Sequence, residues 1–144
     1  MRTLYCVAGI VLFCDQLTKF LAVRFLKPLT SVPIIPHVFH LSFVENTGIA
    51  FGLFQSHPEA LTILIAASVL CLLICTRFFV NQPLSHQLAY GFILGGSIGN
   101  WIDRVRFEHV IDFLDFRIWP VFNIADSFIT IGVALFVWFA LRGR

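Results

Sequence analysis

Residues Gly95-Gly96-Ser97-Ile98-Gly99-Asn100-Trp101-Ile102-Asp103-Arg104, GGSIGNWIDR, end a long apolar run with an amide, a carboxylate and a guanidinium. The stretch contains G-x-S-x-G, which in a soluble hydrolase places a nucleophilic serine on a sharp strand-to-helix turn. Here both flanks read as one apolar helix, and no histidine is positioned as a base for Ser97. Packing explains the glycines better. Gly91, Gly95 and Gly99 recur every fourth residue and form a groove of small residues along which a second helix can approach closely.

Composition agrees with that reading. Apolar residues make up 58% of the chain and charged ones 12%, about half the ~25% charged share of an ordinary soluble domain. A spanning helix needs about 20 mostly apolar residues. Windows of that length run from about Leu4 to Phe25, from Ala60 to Val80, from Leu84 to Ile102 and from about Val121 to Leu141. The expected fold is an all-α membrane protein with four transmembrane helices, forming one domain over residues 1–144, with both termini on one side. A net charge of +2, scattered along the chain, is too small to suggest nucleic acid, and no nucleic-acid partner is expected.

The N-terminal window competes with a cleavable signal peptide, and Cys14 invites a lipoprotein cleavage site. Phe13 is too large for the position before such a cysteine, so a retained helix is expected. Cys6, Cys14, Cys71 and Cys75 all lie in apolar spans without metal-ligand spacing, and no metal or cofactor is expected. Between the first two helices, the prolines of residues 27–36 and the alternation in HVFHLSFV predict a small sheet on the membrane surface. On a strand, His37 and His40 would face opposite sides, which argues against a metal pair.

The Lys/Arg count does not orient the chain. Arg2, Arg77, Arg142 and Arg144 lie toward the termini, whereas Lys19, Arg24, Lys27, Arg104, Arg106 and Arg117 lie toward the other side. All eight acidic residues lie toward that second side too, which points to a functional cluster there.

An intramembrane carboxylate costs several kcal/mol unless paired or wetted and is a functional hypothesis by default. Asp126 is the strongest case. Asn123, Asp126, Ser127 and Thr130 form one polar stripe at helical spacing, and Asn100, Asp103 and Arg104 form another at the end of the third helix. Those faces are expected to meet. Between them, Asp112 is wrapped by Val110, Ile111, Phe113 and Leu114, so it either folds back against Asp126 or pairs with Arg104. Two carboxylates sharing one site cannot both ionise comfortably; one keeps a proton while the other activates water. A small four-helix proton-coupled transporter using Asp126 and Arg104 is the alternative, although no inverted repeat is visible.

The ordered blocks resemble lipoprotein signal peptidases, the signal peptidase II family, across essentially the whole chain. DQLTK in the first helix matches D-x-x-x-K, and VENTGIAFG matches N-x-G-x-A-F. GGSIGNWIDRV matches G-x-x-G-N-x-x-D-R, and VIDFLDF with FNIADSFITIG matches the paired aspartate blocks. The resemblance implies an intramembrane aspartyl endopeptidase that removes signal peptides from diacylglyceryl-modified prolipoproteins, cutting before the lipidated cysteine. Asp112 and Asp126 would be the catalytic pair. Asn46, Gly48, Asn100, Asp103, Arg104 and Asn123 would line or support the site, with Asp15 and Lys19 from the first helix. It further implies a bacterial cytoplasmic (inner) membrane location with both termini cytoplasmic. The site and the small sheet would be extracytoplasmic, membrane lipids would be neighbours, and globomycin-type peptide antibiotics would inhibit. Phe43, Phe51 and Trp101 are candidate lipid contacts. Ile49 and Gly52 depart from the common pattern, and the short Asp112-to-Asp126 connection would trim the edge of the cleft.

Overall fold

A computed structural model of the chain describes residues 2–48 and 58–142. Helix α1 (Arg2–Leu21) runs into a π-helical turn (Ala22–Leu26), followed by strands β1 (Ser31–Ile35) and β2 (Phe39–Asn46). Helices α2 (Pro58–Phe79) and α3 (Leu84–Phe107) come next, then strand β3 (Val110–Asp115) and helix α4 (Ile124–Arg142). The expected positions Ile49, Phe51 and Gly52, and the terminal Arg144, lie outside the described residues.

Among the described residues, three segments are long and apolar enough to cross a membrane: Thr3–Leu26, Glu59–Phe79 and Ile124–Arg142. Many of their large apolar side chains, among them Phe13, Ile63 and Leu141, point away from the protein, as lipid-facing residues must. The inward face of α1 carries Leu4, Ala8, Val11, Asp15 and Lys19, all buried. Spaced three or four apart, they form a single stripe that is apolar along its first half and charged along its second.

Helix α3 is the centre of the bundle and packs on α1, α2 and α4. Its glycines set the spacing, as the four-residue repeat predicts. A Cβ at Gly95 would strike Val11 at 2.9 Å and the backbone of Ala8, and one at Gly96 would meet Ile129 at 2.8 Å and the carbonyl of Ala125. Adjacent glycines thus seat different helices. Ser97 lies between them inside continuous helix, with no strand before it, so the turn that a G-x-S-x-G nucleophile needs is absent at this position.

The sheet has the order β1-β2-β3 with antiparallel pairing. Its first two strands occupy the predicted connection. The third was read as an apolar wrapping rather than a strand, and it pairs with β2 across the whole of α2 and α3. Ala22, Ile111 and Phe113 form a small core beneath the sheet, joined by Leu26, Leu41 and Phe43, which fixes β3 against the end of α1. Phe43 therefore packs inward. Strand β2 begins at Phe39, so His37 lies in the preceding turn with φ of 65° instead of facing away from His40 on one strand.

A candidate active site at the polar end of the bundle

Antiparallel pairing sets Val44 opposite Asp112, which puts Asn46, two residues along β2, on the same face of the sheet. Asn46 Nδ2 donates to Asp112 Oδ2 at 2.8 Å, and the backbone N–H of Gly48 donates to Asn46 Oδ1 at 3.0 Å. Asp115, three residues further along β3, points to the other face. There its carboxylate accepts from Ser42, from the backbone N–H of Arg117 and from the Arg117 guanidinium. Burial pushes the Asp115 carboxyl upward, but those donors outweigh it and hold the group below the usual range.

Asn123 joins the strand to α4. The polar-stripe reading put it on the helix, whereas it sits immediately before Ile124 and caps α4. Its Oδ1 accepts the backbone N–H of Asp126 at 2.9 Å, and its own backbone N–H donates to Asp126 Oδ2 at 3.3 Å. This reciprocal pair has the form of a capping box. The fully buried Asn123 amide also donates from Nδ2 to Asp112 Oδ1 at 2.7 Å. One side chain therefore ties both sequence-selected carboxylates together.

The end of α3 completes the arrangement. Asn100 Nδ2 donates to Asp126 Oδ1 at 2.7 Å, and Asn100 Oδ1 accepts from Asn123 Nδ2 at 3.1 Å and from Lys19 Nζ at 3.0 Å. Lys19 lies 2.9 Å from Asp15 Oδ2 and 2.8 Å from Asp103 Oδ2, all three buried. Asp15 Oδ1 takes the backbone N–H of Ala125 at 3.0 Å, and Asp103 Oδ2 takes that of Ile111 at 3.3 Å. Arg104, weighed as a partner for Asp112, instead donates to the carbonyls of Gly48 at 3.0 Å and Asn100 at 3.3 Å. All ten candidate residues read from the sequence fall in this one connected cluster.

Two participants escaped the sequence reading. Gln16 Nε2 donates to Asp103 Oδ1 at 3.0 Å and to the carbonyl of Gly99 at 3.3 Å. It sits inside the DQLTK block, so its position next to Asp15 was the available signal. Gly99 has a second duty beyond helix packing, because a Cβ there would collide with the Asp15 carboxylate.

Asp112 is 1% exposed. Burial first, and the neighbouring Asp126 charge second, push its carboxyl up to about 7 despite the amide donors of Asn46 and Asn123. A group so placed gives up its proton only as the pH approaches neutral. Beside Asp126 opens a groove of about 620 Å³, lined mainly by apolar and aromatic side chains including Trp119, Phe122 and Ile131, with Ser127 and Thr130 along it. The arrangement offers two amide-braced carboxyl groups, Asp112 with its carboxyl raised toward neutral pH and Asp126 on the wall of an apolar groove.

Comparison with known proteins gives the chain its family. A family profile described as signal peptidase (SPase) II matches residues 7–142. A lipoprotein signal peptidase of Halothermothrix orenii is 44% identical over 133 residues, covering 92% of this chain and 91% of the relative. One from Caldanaerobacter subterraneus subsp. tengcongensis is 44% identical over 130 residues, covering 90% and 89%. A bacterial membrane enzyme solved by the in meso method at 2.3 Å superposes with a TM-score of 0.86 at 32% identity, covering 99% of this chain and 89% of the other. Matched over nearly its whole length in both sequence and fold, the chain belongs to the signal peptidase II family.

Proposed function

We propose that this protein is an intramembrane aspartyl endopeptidase that releases signal peptides from diacylglyceryl-modified prolipoproteins by cutting before the lipidated cysteine. The observation that carries the reading is the Asn123 bridge, which joins Asp112, its carboxyl pushed up to about 7, to Asp126 on the wall of an apolar groove. Asp126 takes a proton from a water whose oxygen bonds to the scissile carbonyl carbon, while the Asp112 proton passes to the carbonyl oxygen. As the resulting diol collapses, the C–N bond breaks, the departing amine takes the proton held by Asp126, and a diol proton returns to Asp112. The residues Asn46, Gly48, Asn100, Asp103, Arg104 and Asn123 brace the pair, with Asp15 and Lys19 beneath them. The chemistry asks for no metal or cofactor.

In this reading α3 is a fourth span and the whole chain is one integral membrane peptidase domain. Its 24 residues rise about 36 Å, enough to cross the hydrocarbon core. Because α3 is enclosed by the other helices, it needs less apolar surface than they do. The protein then lies in the bacterial cytoplasmic membrane with both termini cytoplasmic, the site and sheet extracytoplasmic, and lipid against α1, α2 and α4. The apolar groove receives the signal segment, and globomycin-type peptides compete for it.

The test is incubation of the purified protein with a prolipoprotein in both its diacylglyceryl-modified and unmodified forms. The expected product has the lipidated cysteine at its new N-terminus, with metal chelators leaving the rate unchanged. Cleavage at another bond, or equal cleavage of the unmodified precursor, contradicts the assignment.

A further inference from the structure

An ammonium group has three donors and no acceptor, and a backbone N–H only donates. Such groups fix the sense of any amide they touch. The backbone N–H groups of Asp126 and Gly48 turn Asn123 and Asn46 so that both present N–H to Asp112. Asn100 has no such backbone anchor in the contacts of the site. Its sense is set by Lys19, whose three donors go to Asp15, Asp103 and Asn100 Oδ1, helped by Asn123 Nδ2, which divides its hydrogens among three acceptors. With its oxygen engaged, Asn100 has only N–H to offer Asp126.

We propose that Lys19 is a positioning residue for the peptidase: by occupying Asn100 Oδ1 it obliges Asn100 to donate to Asp126, which keeps that carboxylate ionised and confines the shared proton to the Asp112 side. The proposal rests on the aspartyl reading above. Without Lys19, Asn100 can turn its oxygen toward Asp126 and accept a hydrogen bond from the protonated carboxyl, favouring the form that cannot activate water. Lys19 thus acts on chemistry through one amide and does more than neutralise Asp15 and Asp103.

Asp126 faces Asp112 from β3 and the Arg104 charge from α3, and through Asn100 it is linked to Lys19 and by Lys19 to Asp15 and Asp103. Replacing Lys19 alone changes the net charge of this group. The double variant Lys19→Met with Asp103→Asn removes one positive and one negative charge, so it isolates the hydrogen bond from the electrostatics.

Peptidase pH profiles of wild type, Lys19→Met, Lys19→Arg and the double variant test the idea. Expected is a fall in kcat of at least about tenfold near neutral pH with KM changed less than about threefold, and an acid limb displaced upward by about half a pH unit or more in both Met variants. Partial recovery of rate at higher pH follows, and Lys19→Arg, which keeps the donors, keeps the wild-type limb. An acid limb that stays in place, or a loss uniform at every pH, overturns the proposal. If neither Met variant folds, asparagine-labelled wild-type protein decides by NMR. Contacts from Asn100 Nδ2 protons to Asp126 support the assigned sense, and contacts to the Lys19 side-chain end contradict it. Asp112→Asn and Asp126→Asn run alongside: both inactive with an unmoved Lys19→Met limb removes only the Lys19 role, whereas active aspartate variants remove the peptidase reading itself.

Discussion

At one end of the bundle Phe79 stacks on Tyr90 with ring centroids 4.2 Å apart and Phe136 meets Phe79 edge-on at 5.4 Å, whereas at the other Lys19 bridges two buried aspartates beneath three asparagines. The same helices supply both. The aromatic end joins α2, α3 and α4 by ring packing that tolerates exchange for another apolar residue of similar volume. At the polar end Lys19, Asn100 and Asn123 each donate to named acceptors, and loss of one of them leaves a buried charge or amide unsatisfied. Substitutions at the two ends should therefore separate: polar-end changes act on turnover, and aromatic-end changes act on stability.

The largest separation is expected at Asn123. Asn123→Ala removes the donor to Asp112 and the cap of α4 together, so turnover should fall by about 10²–10³-fold, with a stability loss of about 1 kcal/mol. Steady-state rates and thermal unfolding in detergent give both numbers. An Asn123→Ala enzyme of near wild-type rate would show that the bridge is only a cap.

A pH titration sharpens the comparison next. With the Asp112 carboxyl at about 7, turnover should decline as pH rises through that value, by about tenfold per unit beyond it, as the pair loses its proton. The stability linkage has the same sign. The folded protein holds the Asp112 proton more tightly than the unfolded chain, so this contribution is full below the ordinary value of 3.8 and is lost as pH rises through about 7. Asp112→Asn should remove that slope from the unfolding curves; an unchanged slope would assign it elsewhere.

At the aromatic end, Phe79→Leu should cost about 1 kcal/mol in lost ring contacts and leave kcat within about twofold below the unfolding temperature. A selective loss of kcat there would couple the two ends. The smallest effect is expected at Asp115→Asn. Its partners Ser42 and Arg117 lie on the opposite face of β3 from Asp112, so activity should stay within a few-fold of wild type in the same assay.

Much of the polar end was legible because membrane burial makes charge conspicuous. A lone Asp126 in an apolar run, the Asn100-Asp103-Arg104 spacing and the four-residue glycine repeat all carry their meaning locally. The β3 pairing was not legible in the same way. VIDFLD meets β2 only after two long helices intervene, so no local pattern states that Asn46 will reach Asp112. The role of Asn123 was misplaced for a related reason: helical spacing cannot distinguish a residue in the first turn from the cap just before it. Lys19 and Asp15 were recovered through the family resemblance of the DQLTK block, while the Lys19 contact with Asp103 depends on the close α1–α3 approach at Gly99.

The central claim is that Asp112 and Asp126 work as one unit, and a double-mutant cycle tests it most directly. Turnover of a diacylglyceryl-modified prolipoprotein is measured for Asp112→Asn, Asp126→Asn and the double variant, each shown to be folded and to bind substrate. The account predicts that either single change abolishes turnover and that the double variant is scarcely worse, so the losses are far from additive. Turnover within about tenfold of wild type for either single variant, only ~1.4 kcal/mol of barrier, would contradict it.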